Sequence, residues 1–374
     1  MDPLVRLAFE AEWLDPSSGV LWRYQLFFYP VTGEVEMFDI KNRRHFLKRI
    51  RCDGLAADQF FVSAKVTVFS RALVITAYGD EATRRAIEAR VERTLVLILP
   101  EAVDHTGQIL DALHYAEDGS PSGDGKAASS EGPLRVANLR MAALSPAQAA
   151  EFAAGAPDAE PLAAALRRGP VVVLEVVGSR ASARCAAAIS AGGVLRCSPS
   201  PEAAAREAAF LFGPGRAQAM RSGPDSGAPS SVAIIKPHLL RERREGQALA
   251  AIQDQFAVTA LRLLRLDRGA AGEFLEAYRG PLPAGEWGAA VEELASGPCL
   301  AVQVAPRGAL GGDAVERLRA LCGPPDPEIG RALRPASLRA RLGKSKALNG
   351  LHCTDLAEDA GLESSYIFGG AWDE

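Results

Sequence analysis

One pattern occurs twice in this 374-residue chain, and only its second occurrence carries side chains suited to phosphate chemistry. Leu97-Ile98-Leu99-Pro100 returns as Ile234-Ile235-Lys236-Pro237. Gly169-Pro170-Val171-Val172-Val173, an apolar run after a turn, returns as Gly297-Pro298-Cys299-Leu300-Ala301. Further along, Ser222-Gly223-Pro224-Asp225 aligns with His352-Cys353-Thr354-Asp355. Ordered landmarks at nearly one spacing mark a tandem duplication. In this alignment Leu99 stands opposite Lys236, Ser222 opposite His352, and Ala219 opposite Asn349. The second copy reads as a site. The first reads as its degenerate scaffold, lacking the C-terminal tail that follows the motif in the second.

The rest of the chain divides around this repeat into an N-terminal module at 1–90, a first repeat at 91–226 and a second at 230–374. In the module, Arg23 to Tyr29 and Glu34 to Ile40 flank Pro30 and Gly33, which predicts a hairpin. Lys65 to Phe69 and Ala72 to Ile75 predict two more strands, and Ala82 to Arg93 a closing helix. The first repeat opens with a strand over Thr94 to Leu99 and a helix around Ile109 to Tyr115. Gly119 to Gly132, rich in Gly, Ser and Asp, reads as a surface insertion, and Gly223 to Ser231 as a linker. Ser145-Pro146 and Ser200-Pro201 carry the signature of helix starts. Strands alternating with helices give an α+β class.

Composition narrows the function classes. Hydrophobic residues make up 48% and charged residues 24%, as in ordinary globular proteins, and a net charge of −4 offers no general attraction to nucleic acid or membrane. No basic, apolar leader is evident at the start, and no apolar run approaches the ~20 residues that span a bilayer. Six cysteines without CxxC or Cys/His ligand spacing read as reduced packing thiols of a cytosolic protein. His105, His114 and His238 are expected at the surface or as caps, and Arg331 and Arg334 on a solvated or interface face.

The sharpest motif is Asn349-Gly350-Leu351-His352-Cys353-Thr354-Asp355, accompanied by Lys236-Pro237, by Arg319 before the Cys322-Gly323 turn, and by Arg334-Pro335-Ala336-Ser337-Leu338-Arg339. Together these resemble the nucleoside diphosphate kinase family, specifically in the second repeat and faintly in the first. The resemblance implies two ferredoxin-like domains, the first degenerate. It implies His352 as the nucleophile that takes a phosphoryl group in a ping-pong reaction, with Glu363 orienting its imidazole. Lys236, Arg319 and Arg339 would clamp phosphates, Tyr278 would donate near the transferred group, and Asn349 would hold the ribose hydroxyl. Mg²⁺ would arrive on the phosphates of ATP or another nucleoside triphosphate, without a protein cage. The chain departs from the pattern at Pro325, where a threonine is expected, and at Glu286, where an aromatic would stack on the base, although Trp287 adjoins it. The segment between Pro327 and Pro335 is longer than usual, and Thr354 replaces a serine. These departures imply a slow site.

In the N-terminal module, Glu10 to Pro16, Tyr24 to Pro30 and Val35 to Asp39 run on into the basic stretch Lys41 to Arg49. This resembles a pleckstrin-like module of ciliary doublet-microtubule proteins. The resemblance implies an axonemal protein of cilia and flagella, bound in the lumen of doublet microtubules beside other inner proteins, with tubulin as partner and in some members the γ-tubulin complex at the centrosome or basal body. Read by itself, the basic stretch fits either an acidic protein surface or a charged sheet edge that resists aggregation. Two functions therefore compete. The degenerate first repeat, Pro325 and Glu286 put a structural microtubule role first; Lys236 and His352 keep a phosphotransferase as the alternative.

Overall fold

The computed structural model describes residues 6–15, 20–52, 55, 57, 60–61, 65–69, 71–88, 92–115, 134–178, 180–189, 194–213, 230–280, 283–307 and 313–370. Ser222, Ala219 and the insertion at 119–132 lie outside them, as does nearly all of the linker. Two compact units divide the chain: residues 1–92 with 178–180, and the remainder.

The first unit is a six-stranded antiparallel sheet, with β1 (Leu7–Leu14), β2 (Leu21–Tyr29), β3 (Glu34–Asp39), β4 (Arg44–Arg51), β5 (Lys65–Val68) and β6 (Arg71–Tyr78) in the order β4-β3-β2-β1-β6-β5. The hairpin expected across Pro30 and Gly33 pairs Tyr24 with Asp39 and Tyr29 with Glu34. Alternation puts Tyr24, Leu26, Phe28, Val35 and Met37 inside. There Phe60 stacks on Phe28 at 4.4 Å and on Phe9 at 5.5 Å. Helix α1 (Glu81–Glu88) follows, its first turn capped by the Asp80 carboxylate accepting from the Thr83 amide. It stops short of the Arg93 end expected from sequence. Strand β4 is an edge, exposed at all but one position.

The second unit holds both repeats. The first contributes β7 (Glu92–Ile98), α2 (Thr106–Tyr115), β8 (Arg135–Ala142), α3 (Pro146–Ala153), α4 (Ala159–Leu166), β9 (Val171–Gly178), α5 (Ala181–Ile189), β10 (Leu195–Cys197) and α6 (Pro201–Phe212). The second contributes β11 (Ser231–Ile235), α7 (Pro237–Arg241), α8 (Glu245–Gln253), β12 (Phe256–Arg265), α9 (Arg268–Phe274), α10 (Ala284–Leu294), β13 (Pro298–Pro306), α11 (Ala314–Cys322), α12 (Pro327–Leu333), α13 (Leu338–Leu342), β14 (Leu351–Cys353) and α14 (Ala360–Gly369). The predicted helix starts hold. Ser145 and Gln148 form a reciprocal capping box on α3, and the Ser200 hydroxyl caps α6.

All eight strands join one sheet, β10-β7-β9-β8-β12-β13-β11-β14. Each half has the ferredoxin-like order, and the halves meet edge to edge where Arg140 of β8 faces Arg262 of β12. One apolar core runs through both repeats, from Val96 and Leu174 to Ile235 and Val302. Helices α2 and α8 close this seam. A Cβ on Gly107 would lie 2.3 Å from the Ala250 amide nitrogen, and one on Gly246 would lie 2.6 Å from the Gly107 carbonyl, so only glycine allows this approach. Gln253 reaches across to accept from the Gly107 amide at 2.8 Å and to donate to the Val103 carbonyl at 2.7 Å.

Two histidines expected at the surface or as caps are buried. His114 is 8% exposed and pairs its Nε2 with Glu245 across the seam at 2.7 Å. His238 is 2% exposed and pairs its Nδ1 with Glu293 of α10 at 2.9 Å. Each carboxylate partner comes from a distant segment, which makes burial of the imidazole tolerable. His105, Arg331 and Arg334 are exposed as expected.

Candidate functional site

Strand β14 sets the site. Its pairing with β11 puts His352 opposite Ile234, while Lys236, directly after β11, donates its amide to the Gly350 carbonyl at 2.9 Å. Two stretches more than a hundred residues apart thereby present a histidine and a lysine at one sheet edge. Pro237 at the first helical position of α7 turns the chain away immediately after Lys236.

His352 is 9% exposed and directs Nε2 at Glu363 of α14, 3.4 Å away. Phe274 and Tyr278 meet the imidazole edge-on, with ring centroids at 5.0 and 5.1 Å. Glu363 accepts from the Tyr278 hydroxyl at 2.5 Å and from the Thr354 hydroxyl at 2.8 Å. Burial pulls the Glu363 pKa upward, but His352 and the hydrogen bonds from His352, Tyr278 and Thr354 outweigh it and hold the group ionised below its ordinary value. Burial, then the adjacent carboxylate, pushes the Tyr278 phenol well above its ordinary range, so it stays a donor. An ionised Glu363 facing Nε2 keeps the proton there and leaves the lone pair on Nδ1.

Lys236 is 7% exposed and donates from Nζ to the Ala347 carbonyl at 3.0 Å. Burial first, and then the charge of Arg339, push its pKa down to about 7. Two cations held together in a buried place favour an anion between them. Arg339 is itself occupied in holding the loop: Nε donates to the Leu351 carbonyl at 3.0 Å, Nη1 to the Gly323 carbonyl at 2.8 Å, and Nη2 to Cys353 Sγ at 3.5 Å. Gly323 has φ +79°, and a Cβ there would lie 2.2 Å from Ser337 Oγ, so the turn that meets Arg339 requires glycine.

Asn349 donates from Nδ2 to the Pro325 carbonyl at 3.0 Å. Among the described residues its Oδ1 is buried without a partner, which suits a ligand that brings a donor such as a hydroxyl. Pro325 thus contributes a carbonyl where the resemblance implied a hydroxyl. Arg319 does not join the buried set: it lies half exposed at the rim, its Nε 3.3 Å from Asp355. At the outer end Glu286 forms an ion pair with Lys346 at 2.8 Å. Trp287, beside it, is tied to its own segment. Its indole donates to the Leu275 carbonyl at 3.0 Å and its ring lies under Arg279.

Sequence reading missed the parts that only pairing reveals. Thr354 is a full partner of Glu363, and Glu293, buried behind Lys236, accepts from the His238 amide at 2.9 Å and from Arg241 at 3.3 Å. The fixed nine-residue step from Thr354 to Glu363, matched by Ser198 and Glu207, was the available signal.

That step corrects the alignment of the repeats. Strand β10 pairs with β7 so that Arg196 faces Leu97, as His352 faces Ile234. The Ser198 hydroxyl donates to Glu207 at 2.5 Å, the counterpart of the bond from Thr354 to Glu363. Arg196, not Ser222, therefore occupies the place of His352, and α6 is the tail that the first repeat was expected to lack. The spacing misled because the segment between helix and strand covers 190–194 in the first repeat but 323–350 in the second. Lys236 still finds Leu99 as its counterpart.

The family model for nucleoside diphosphate kinase matches residues 230–371. "Nucleoside diphosphate kinase homolog 7" of Rattus norvegicus is 36% identical over 97% of this chain and 93% of its own length, and that of Mus musculus is 36% identical over the same shares. "Nucleoside diphosphate kinase" of Aquifex aeolicus is 35% identical over 37% of this chain and 92% of its own. A crystal structure of the Aquifex aeolicus enzyme has 33% identity and a TM-score of 0.34, covering 38% of this chain and 96% of that one.

Proposed function

The chain belongs to the nucleoside diphosphate kinase family, and from that premise we propose that its second repeat binds a nucleoside triphosphate and takes the terminal phosphoryl group on His352. The observation that carries this reading is the orientation of His352: Nε2 faces the ionised Glu363, and the reacting lone pair lies on Nδ1. Nδ1 attacks the γ-phosphorus, the bond to the bridging oxygen breaks, and the diphosphate leaves with the electron pair. An acceptor diphosphate then attacks the phosphohistidine, the P–N bond breaks, and the lone pair returns to Nδ1. Lys236 and the positive field of Arg339 offset charge on the transferring group, and Tyr278 keeps Glu363 in place. Asn349 Oδ1 accepts from a ribose hydroxyl. Mg²⁺ comes with the nucleotide as part of the substrate. The test is incubation with Mg-[γ-³²P]ATP: acid-labile, alkali-stable label on the protein is expected, and nucleotide binding without label would reduce His352 to a relic.

A second reading concerns the N-terminal unit, where one observation favours docking. Strand β4 is an exposed edge bearing Arg44, Phe46, Lys48 and Ile50, with Lys41 and Arg43 beside it. A basic, partly apolar edge complements an acidic protein surface. Combined with the resemblance of this module, that supports binding to tubulin in the lumen of ciliary doublet microtubules beside other inner proteins, with the γ-tubulin complex as the alternative partner. The protein should then stay with axonemal doublets after detergent, and Arg44→Glu with Lys48→Glu should release it. Loss of the unaltered protein to the detergent-soluble fraction would sink this reading.

A further inference from the structure

The inner face of the N-terminal sheet ends in a cluster that nothing in the phosphoryl-transfer chemistry uses. Trp13 of β1 faces Trp22 of β2, and Arg71 opens β6, the strand on the other side of β1. Arg71 Cζ lies over the Trp13 ring at 4.7 Å and over the Phe46 ring at 4.6 Å. Phe46 in turn meets Tyr24 at 4.9 Å. Three strands separate β4 from β6 in the sheet, so the sheet curls to bring Phe46 onto Arg71. Two donors in this cluster are left over. Among the described residues, Arg71 Nε and Trp22 Nε1 are buried without a hydrogen-bond partner, and no carboxylate pairs with Arg71. Asp39, opposite Tyr24, is already committed: it accepts from the Asn42 amide at 3.0 Å and from Asn42 Nδ2 at 2.6 Å. Leaving both donors unpaired costs free energy that an apolar side chain at position 71 would avoid.

We propose that this cluster docks an acidic segment of a partner protein, with Arg71 taking a side-chain carboxylate. The rings hold the guanidinium by its flat surface, which leaves its N–H edge for a planar, bidentate acceptor. A peptide suits both donors, since it brings a carboxylate for Arg71 and a backbone carbonyl for the Trp22 indole. A free anion answers only the first. Phe46 is the outer wall, 39% exposed on an edge strand, and turning its ring aside admits the carboxylate. Leu21, Ile40 and Phe69 are exposed at the same end of the sheet, and their apolar surface strengthens the ion pair by excluding water. Lys41, Arg43 and Arg44 add positive charge there. The site goes beyond docking along β4, because Arg71 and Trp22 lie on other strands.

The test adds poly-L-glutamate, at constant ionic strength, to the full chain carrying ¹⁵N-labelled indoles. The Trp22 indole signal, assigned with Trp22→Phe, should move, and its titration gives an affinity. Arg71→Met keeps a stem against the rings and should weaken binding about ten-fold or more, through loss of a charge-assisted contact. Arg71→Lys keeps the charge without the fork; it should weaken binding less, and it serves as the probe if Arg71→Met does not fold. A Trp22 signal that stays in place overturns the proposal. So does binding that the Arg71 variants leave intact, and so does an equal response to inorganic phosphate, which marks plain charge attraction. Binding lost in Arg44→Glu with Lys48→Glu but kept in the Arg71 variants belongs to the β4 edge and also overturns it. No readout involves nucleotide or microtubules, so a failure here is separable from a failure of phosphotransfer or of axonemal docking.

Discussion

Arg196 and His352 are the same position of the duplicated unit: each is the middle residue of a three-residue strand at the rim of the shared sheet, opposite Leu97 and Ile234. Behind each stands a hydroxyl bonded to a buried glutamate, Ser198 to Glu207 and Thr354 to Glu363. The first repeat keeps this support and has an arginine, paired with Asp158 at 2.8 Å, in place of the nucleophile. Restoring the imidazole should therefore not restore chemistry. In the double variant Arg196→His, His352→Ala, no acid-labile label from [γ-³²P]ATP is expected, because Leu99 supplies no cation and the counterpart of 323–350 is missing. Label on residue 196 would show that the scaffold alone suffices.

At His352 itself, His352→Ala should abolish the label while the fold survives. Glu363→Gln keeps the shape but removes the charge that Nε2 faces. Losing a charge-assisted bond costs about 1.5–3 kcal/mol, so rapid-quench phosphorylation should slow about ten- to hundred-fold. An unchanged rate would remove Glu363 from the orienting role.

Lys236 sets the pH response. Its folded pKa of about 7 lies below its ordinary 10.5, so between these values the unfolded chain binds the extra proton. On this group's account the unliganded protein gains stability as pH rises from about 7 towards 10.5. A polyphosphate reverses the preference by favouring the ammonium form, so binding takes up a proton above pH 7 and weakens as pH climbs. Calorimetry of ADP binding at pH 8 in two buffers of different ionisation enthalpy should reveal that uptake. Lys236→Met should remove it, and uptake persisting in that variant would assign it to another group.

The seam between the repeats should behave as one cooperative structure. Gly107→Ala puts a methyl group against the backbone of α8, where a Cβ meets the Ala250 nitrogen at 2.3 Å. Overpacking of this kind costs about 1–3 kcal/mol. Calorimetry should show the single transition of residues 93–370 shifted down by a few degrees. Two transitions, with only the first repeat affected, would mean that the repeats fold separately despite their common core.

Much of this protein was decided locally and is legible along the chain. Alternation in Tyr24 to Phe28 assigns one face of a strand to the core, Ser145-Pro146 and Ser200-Pro201 begin helices by capping, and Lys236-Pro237 ends a strand at the place where a cation is needed. These signals act within a few residues, so they survive without knowledge of distant partners. The tertiary structure alone decided which strand residues face each other across a hundred positions, and it moved the counterpart of His352 from Ser222 to Arg196. It also decided how buried polar groups are satisfied. Arg339 is held by two carbonyls and a thiol, Trp287 is committed to Leu275, and His114 and His238 are buried because Glu245 and Glu293 reach them. A hydrogen bond or ion pair belongs to two segments at once, and only folding brings the second to the first.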